Sequence, residues 1–249
     1  MNRTEPIRPE QDVVQVYWAR LADADPRLLD LLNVVERDRH AGYRRPEDAD
    51  RFLLGAVMVR IVAGRHSDRP PATVIVDRSC PDCDRPHGKV ALPGSDLELS
   101  VSHSGDLVGL ACHAGSAIGL DVEHLDRFNN RAGASPEPGL VDYVLTDSER
   151  SHLDTLNPDH RLRGFLRYWT RKEALLKATG DGLRVDLRSL VLSGPDDPPA
   201  LLESSRLPRS ELTLYDLTAA PDHIAALAVR QTHPVRIVEL PADPLLARV

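Results

Sequence analysis

The chain has 249 residues, a formal net charge of -7 and three cysteines. That length builds one large domain or two halves of about 120 residues, and either size buries a real core. The acidic balance argues against a general nucleic-acid binder; no apolar run approaches the roughly 20 residues that span a bilayer; and Cys80, Cys83 and Cys112 are too few and too odd in number for a disulfide framework. With no secretory stretch in "MNRTEPIRPEQD", the expectation is a cytoplasmic monomer without nucleic-acid or membrane partners.

In chain order, "EDADRFLLGAVMVRIVAG" (47–64) opens with acids suited to a helix N-terminus and continues apolar, predicting a core helix with Arg51 near its exposed start. "TVIVD" (73–77) has strand composition, and "CPDCDRPHGK" is turn-rich. "LELSVSHSG" (97–105) alternates, with Leu97, Leu99 and Val101 on one face, so it reads as a half-buried strand ending at His103. "LVGLACH" and "AIGLDVEHL" follow as two strands joined in a hairpin at Ala114, Gly115 and Ser116. Within the second, Ile118, Leu120 and Val122 face the core, so Asp121 and Glu123 share the opposite face. A Pro/Gly/Asn-rich loop (126–140) leads to a helical region from about Leu140 and then a long helix from about His160 to Thr179, stopped by Gly180. "LRSLVLSG", "SELTLYDL" and "HIAALAVR" read as further strands. Each half thus reads as α+β, with no internal sequence repeat.

Charge is distributed unevenly. Of 31 Lys and Arg residues only three are lysine: Lys89, Lys172 and Lys177. Between His160 and Lys177 stand Arg161, Arg163, Arg167, Arg171, Lys172 and Lys177 against the one acid Glu173. Such a patch suits phosphate or an acidic protein, and equally a solvated helix face. Two carboxylates on one strand face make a hard oxygen site of the kind Mg²⁺ occupies, and Glu173 is a candidate third ligand. Trp169, Glu173 and Lys177 fall on one stripe of the helix at i, i+4 spacing. Taken singly, "DVE" also fits a solvated strand face, and Glu173 with Lys177 a surface ion pair.

In combination, "SVSHSG", "IGLDVE" and "YWTRKEALLKATGDGL" resemble the signature blocks of the 4′-phosphopantetheinyl transferase superfamily, in the larger two-halves type that activates polyketide and non-ribosomal peptide synthases. The resemblance covers roughly residues 36–192 and includes "EDADRFLLGAVMVR" and "HGKV". It implies an α+β fold of two similar halves related by a pseudo-two-fold, each a small, mainly antiparallel sheet with a long helix. The nucleotide-side half would be 1–117 and the metal and catalytic half 118–249, with the active site at their interface. The implied reaction moves 4′-phosphopantetheine from coenzyme A to a serine of an apo acyl or peptidyl carrier protein, releasing 3′,5′-ADP. Asp121, Glu123 and Glu173 would hold Mg²⁺, and Glu173 would also take the serine proton. Lys177 would stand at the leaving phosphate, Lys172 would contact the same phosphates, and Trp169 would pack. Ser102, His103, Arg51 and Arg39 would meet the nucleotide 3′-phosphate, and Gly88 and Lys89 would lie along the adenine. Two positions depart from the family pattern: Val90 replaces a proline, and Tyr143-Val144 replaces a Phe-Phe pair, which bears on carrier choice.

Other readings attach to the same residues. Cys80-x-x-Cys83 with His87 invites a zinc site, which needs four ligands and would have to recruit Cys112 and His113; the plainer reading is a turn. His113 and His124 read as surface residues. A coenzyme A or carrier-binding module without catalysis, or a Mg²⁺-dependent phosphohydrolase, would share much of the same chemistry.

Overall fold

A computed structural model describes residues 12–80, 83, 88–127 and 136–247. In chain order the elements are β1 (Val13–Arg20), α1 (Val34–Ala41), α2 (Pro46–Ser67), β2 (Leu97–Ser104), β3 (Leu107–Ala114), β4 (Ile118–His124), α3 (Pro138–Val144), α4 (Asp147–Thr155), α5 (Pro158–Thr179), β5 (Leu190–Leu192), β6 (Leu201–Ser204), β7 (Leu212–Leu217), β8 (His223–Arg230), β9 (Arg236–Pro241) and α6 (Asp243–Leu246). The architecture is mixed α+β, with small, largely antiparallel sheets and helices. It divides into two units, Met1–Gly115 with Val235–Val249, and Ser116–Pro234. The last segment belongs to the first unit, where β9 runs parallel to β1 and Trp18 Nε1 donates to Glu239 at 2.8 Å.

In the first unit the sheet order is β2-β3-β1-β9. The α2 helix lies on it, burying Leu54, Val57, Met58 and Ile61 with Leu99, Val108 and Leu110. Asn33 and Glu36 cap α1 reciprocally, and Glu36 then accepts from the buried Arg60 at 2.7 Å. Arg60 Nη1 donates to the carbonyls of Pro71, Ala72 and Val74. Arg60 thereby pins the chain leading into 73–77 and the Val74 carbonyl within it, and the strand expected there is instead a 3-10 turn over Pro71–Thr73 followed by extended chain, touching a partner at the bridge Asp77 to Ala91. The expected hairpin at 114–116 is also corrected. β3 pairs with β2 and β1, the hairpin is β2–β3, and β4 joins β8 in another sheet.

In the second unit β4, β8 and β7 form an antiparallel sheet in that order, with β5 and β6 as a separate pair. The apolar stripe of α5 packs on it: Phe165, Leu166, Leu175 and Leu176 share a core with Leu214, Ile224, Ala226 and Ala228. Burying one such side chain as fully as Phe165 stabilises by about 1.5–3 kcal/mol. The helix begins with Asn157 as its cap and Pro158 at its first position, and ends at Gly180, as the sequence predicts. Among the described residues no helix is long and apolar enough to cross a membrane.

Candidate active site

Strand alternation places Gly119, Asp121 and Glu123 on one face of β4, level with Ala228, Ala226 and Ile224 of β8. That is the face under α5, because those three β8 residues belong to the core that α5 fills. Asp121 and Glu123 are 4% and 5% exposed, so both carboxylates lie beneath the helix rather than in bulk solvent. Lys177 Nζ donates to Asp121 Oδ1 at 2.7 Å and to the Leu120 carbonyl at 3.0 Å. Glu173, one turn earlier, belongs to the same cluster. Burial first, and then the charge of Asp121, push its carboxyl above the ordinary range; Lys177 pulls the other way and Glu123 adds to the rise. Phe165 and Trp169 stack at a tilt, ring centres 6.4 Å apart, so Trp169 packs as expected.

Asp121 pairs with Lys177, and Glu173 feels the charges of Asp121, Lys177 and Glu123, so the set is acidic and offers oxygen donors. The rise at Glu173 comes first from burial and second from the charge of Asp121, a repulsion that a divalent cation would relieve, and hard oxygen donors are what Mg²⁺ takes. By donor chemistry alone, Asp121, Glu123 and Glu173 suit such an ion.

Lys172 does not join this site. It is 0% exposed, and its ammonium donates to Glu149 Oε2 at 2.7 Å, the Val144 carbonyl at 2.8 Å and the Leu187 carbonyl at 3.0 Å. An ammonium has three N–H groups, so none remains for phosphate. The expected phosphate contact is corrected to an internal staple tying α3, α4 and the turn Leu187–Ser189 to α5. Burial pulls the Lys172 pKa down, and Glu149 only partly offsets it. Glu149 is itself fully engaged: it closes the capping box of α4 through Thr146 N, and its other oxygen accepts from Leu192 N. "TDSE" carried this signal in the sequence as a capping-box pattern.

The arginines of the supposed basic patch are likewise turned inward or along the surface. Arg171, also 0% exposed, grips Asp216 through two nitrogens and donates to the carbonyls of Gly194, Pro195 and Asp197. Arg161 reaches the carbonyls of Asp154 and Leu156, Arg163 that of Pro221, and Arg167 that of Pro195 together with Asp196. A planar fork of donors suits backbone carbonyls, and this chain uses arginine to pin its loops.

In the first unit Arg51 Nε donates to the Gly105 carbonyl at 2.7 Å and Nη1 to Asp48 at 2.6 Å, so the helix start is tied to the end of the Ser102-His103 strand. His103 is exposed, and Ser102 is buried. Arg39 lies over the Phe52 ring, 4.9 Å from its centre. Lys89 faces Glu98 at 3.3 Å, both partly exposed. Gly88 N donates to the Arg78 carbonyl, and a Cβ on Gly88 would fall 2.9 Å from the Ser79 carbonyl carbon and closer still to its oxygen, so glycine is required where the loop closes. Val90 enters the core. Cys80 is buried and Cys83 exposed, while His87 lies outside the described residues. Cys112 is buried, its thiol pushed up to about 12 by burial, and His113, expected at the surface, is 0% exposed.

Sequence comparison bears on the same residues. A profile of the 4′-phosphopantetheinyl transferase superfamily matches residues 117–228, which span β4, α5 and β8. The chain is similar to proteins of this superfamily over most of its length. It is 26% identical over 225 residues to a 4′-phosphopantetheinyl transferase of Bacillus subtilis, covering 88% of this chain and 91% of that one. It is 28% identical to the 4′-phosphopantetheinyl transferase HetI of Nostoc sp., with 88% of each chain covered, and 25% identical to the 4′-phosphopantetheinyl transferase Sfp of Bacillus subtilis strain 168, covering 85% of this chain and 87% of Sfp. The transferase similarity therefore extends over both units and beyond the signature blocks.

Proposed function

We propose that the chain transfers 4′-phosphopantetheine from coenzyme A to a serine hydroxyl of an apo acyl or peptidyl carrier protein, releasing 3′,5′-ADP, as a cytoplasmic monomer of the larger two-halves type. The observation that carries this is the meeting of Asp121 with Lys177, 56 residues apart in sequence, beneath the helix that also brings Glu173 into their field. The two units are proposed to be similar in architecture, since each carries a 22-residue helix on antiparallel strands.

In this mechanism the serine oxygen forms a bond to the phosphorus that bears pantetheine, and the bridging P–O bond to the nucleotide breaks. Glu173 would accept the serine proton, directly or through a water. Lys177 would steady the departing phosphate and give it a proton. Mg²⁺ on Asp121, Glu123 and Glu173 would supply neutralisation of charge on the pyrophosphate oxygens. Lys177→Arg should then be nearly as damaging as Lys177→Ala, because a guanidinium is wider than the gap now filled by one ammonium and does not release a proton. Steady-state turnover at saturating coenzyme A checks this; a Lys177→Arg enzyme with most of the wild-type turnover would reduce Lys177 to a charge.

On the first unit, His103 and Arg51 are proposed to meet the 3′-phosphate, with Arg39 as a further contact, and Gly88 and Lys89 the adenine. His103→Ala and Arg51→Ala should weaken coenzyme A binding about tenfold or more, the scale of a charge-assisted hydrogen bond, and leave dephospho-coenzyme A binding nearly unchanged. Calorimetry with both ligands decides: equal losses would make the two residues structural, as the Arg51 bond to the Gly105 carbonyl allows.

A further inference from the structure

Gly119 opens the "GLDVE" segment and touches none of the reacting groups in the proposed mechanism. Its backbone is ordinary strand, paired in register with Ala228, and it is not among the positive-φ glycines, so conformation does not demand glycine there. Space does. A Cβ at 119 would fall 2.9 Å from the carbonyl carbon of Lys177 and closer still to the Ala174 oxygen and the Ala178 nitrogen. All three are main-chain atoms of α5, between Ala174 and Ala178, in the stretch that carries Lys177 and follows Glu173. No rotamer change relieves such a clash; the helix itself would have to move by roughly 1.5 Å to restore van der Waals separation of ~3.5 Å.

We infer that Gly119 is a positioning residue: the missing side chain lets α5 lie directly on β4 and thereby sets the spacing between Asp121 and Glu123 on the strand and Glu173 and Lys177 on the helix. The inference rests on the metal-site reading of the three carboxylates. Its consequence follows from scale. A Mg²⁺ site demands near-octahedral ligands at about 2.0–2.1 Å, so a shift of ~1.5 Å in one ligand's helix removes it from the sphere. Misplacement by ~1 Å also costs about a hundredfold in a positioned reaction. The contact of Lys177 with the Leu120 carbonyl, at 3.0 Å, would lengthen with it.

The test is Gly119→Ala, with Mn²⁺ binding measured by calorimetry beside turnover. Expected are at least a tenfold loss of Mn²⁺ affinity and about a hundredfold loss of kcat, with KM for coenzyme A within about threefold of wild type. Leu214→Ala, a core truncation in β7, supplies the control: it should lower the melting temperature and keep wild-type Mn²⁺ affinity. If Gly119→Ala does not fold, Ala226→Val reads the same gap, since Ala226 is the register partner of Asp121 and faces the same helix; it should show the same pattern more weakly. Wild-type metal affinity in folded Gly119→Ala, or in Ala226→Val if that is the variant read, would overturn the role of Gly119 alone. Losses matched by Leu214→Ala at equal destabilisation would overturn it too. A wild-type protein that binds no Mn²⁺ would remove the metal-site reading and this inference together.

Discussion

Glu173→Gln should reduce phosphopantetheine transfer at least a hundredfold and, at the same time, raise the melting temperature of the metal-free protein. The two effects have one cause. Gln keeps the shape of the side chain but loses the negative oxygen that would hold a cation and accept a proton, a loss on the scale of a general base or a charge-stabilising group. In the metal-free protein that same charge is a burden, because burial and the neighbouring Asp121 hold the Glu173 carboxyl above its ordinary range. Linkage fixes the sign: a carboxyl whose folded pKa is raised binds its proton more tightly folded than unfolded. Ionising it at neutral pH therefore costs stability, and the amide avoids that cost. Thermal melts with chelator check the second half and holo-carrier formation the first. Added Mg²⁺ should raise the wild-type melting temperature and leave the variant nearly unmoved. A variant with near-wild-type transfer, or one that melts lower without metal, would contradict the role given to Glu173.

Lys172→Ala should destabilise the protein by about 3–5 kcal/mol, the scale of removing one partner from a buried ion pair and leaving the other uncompensated. Glu149 would stay buried at 2% exposure without its counter-charge, and the carbonyls of Val144 and Leu187 would lose their donor. Lys172→Arg should also destabilise, because the guanidinium is bulkier and flat, whereas three acceptors converge on one nitrogen here. Urea unfolding measures both. A Lys172→Ala protein of wild-type stability that fails to bind coenzyme A would restore the phosphate role expected from the family motif. The lysine preference at the two helix positions thus has two explanations: Lys177 faces the proposed site, and Lys172 is a three-pronged tie inside the fold.

The long helices α2 and α5 were legible because their apolar runs and end signals are strong and local. The pairing of Asp121 with Glu123 was legible because strand alternation is strict. What failed depended on partners distant in sequence. "TVIVD" has strand composition, yet Arg60 pins the chain leading into it and the Val74 carbonyl within it. The join at Ala114, Gly115 and Ser116 has hairpin composition, yet β4 finds β8 a hundred or so residues on, because its pairing face is set by the second sheet. The strands β1 and β9 were not read from the sequence at all, and their pairing carries no local signal, since they are parallel partners at opposite ends of the chain. Lys172 and the arginines of α5 misled for a related reason: a sequence shows charge but not whether a carbonyl waits opposite it. Gly119 passed as one letter of a motif, because nothing along the chain reveals that a helix backbone lies against it.

The central claim is most directly tested by mixing the protein with coenzyme A, Mg²⁺ and an apo carrier domain and weighing the intact carrier. A gain equal to one phosphopantetheine group on the carrier serine, with stoichiometric 3′,5′-ADP and no gain in chelator, is the expected result. A carrier of unchanged mass while coenzyme A is hydrolysed, or is simply held, would contradict it.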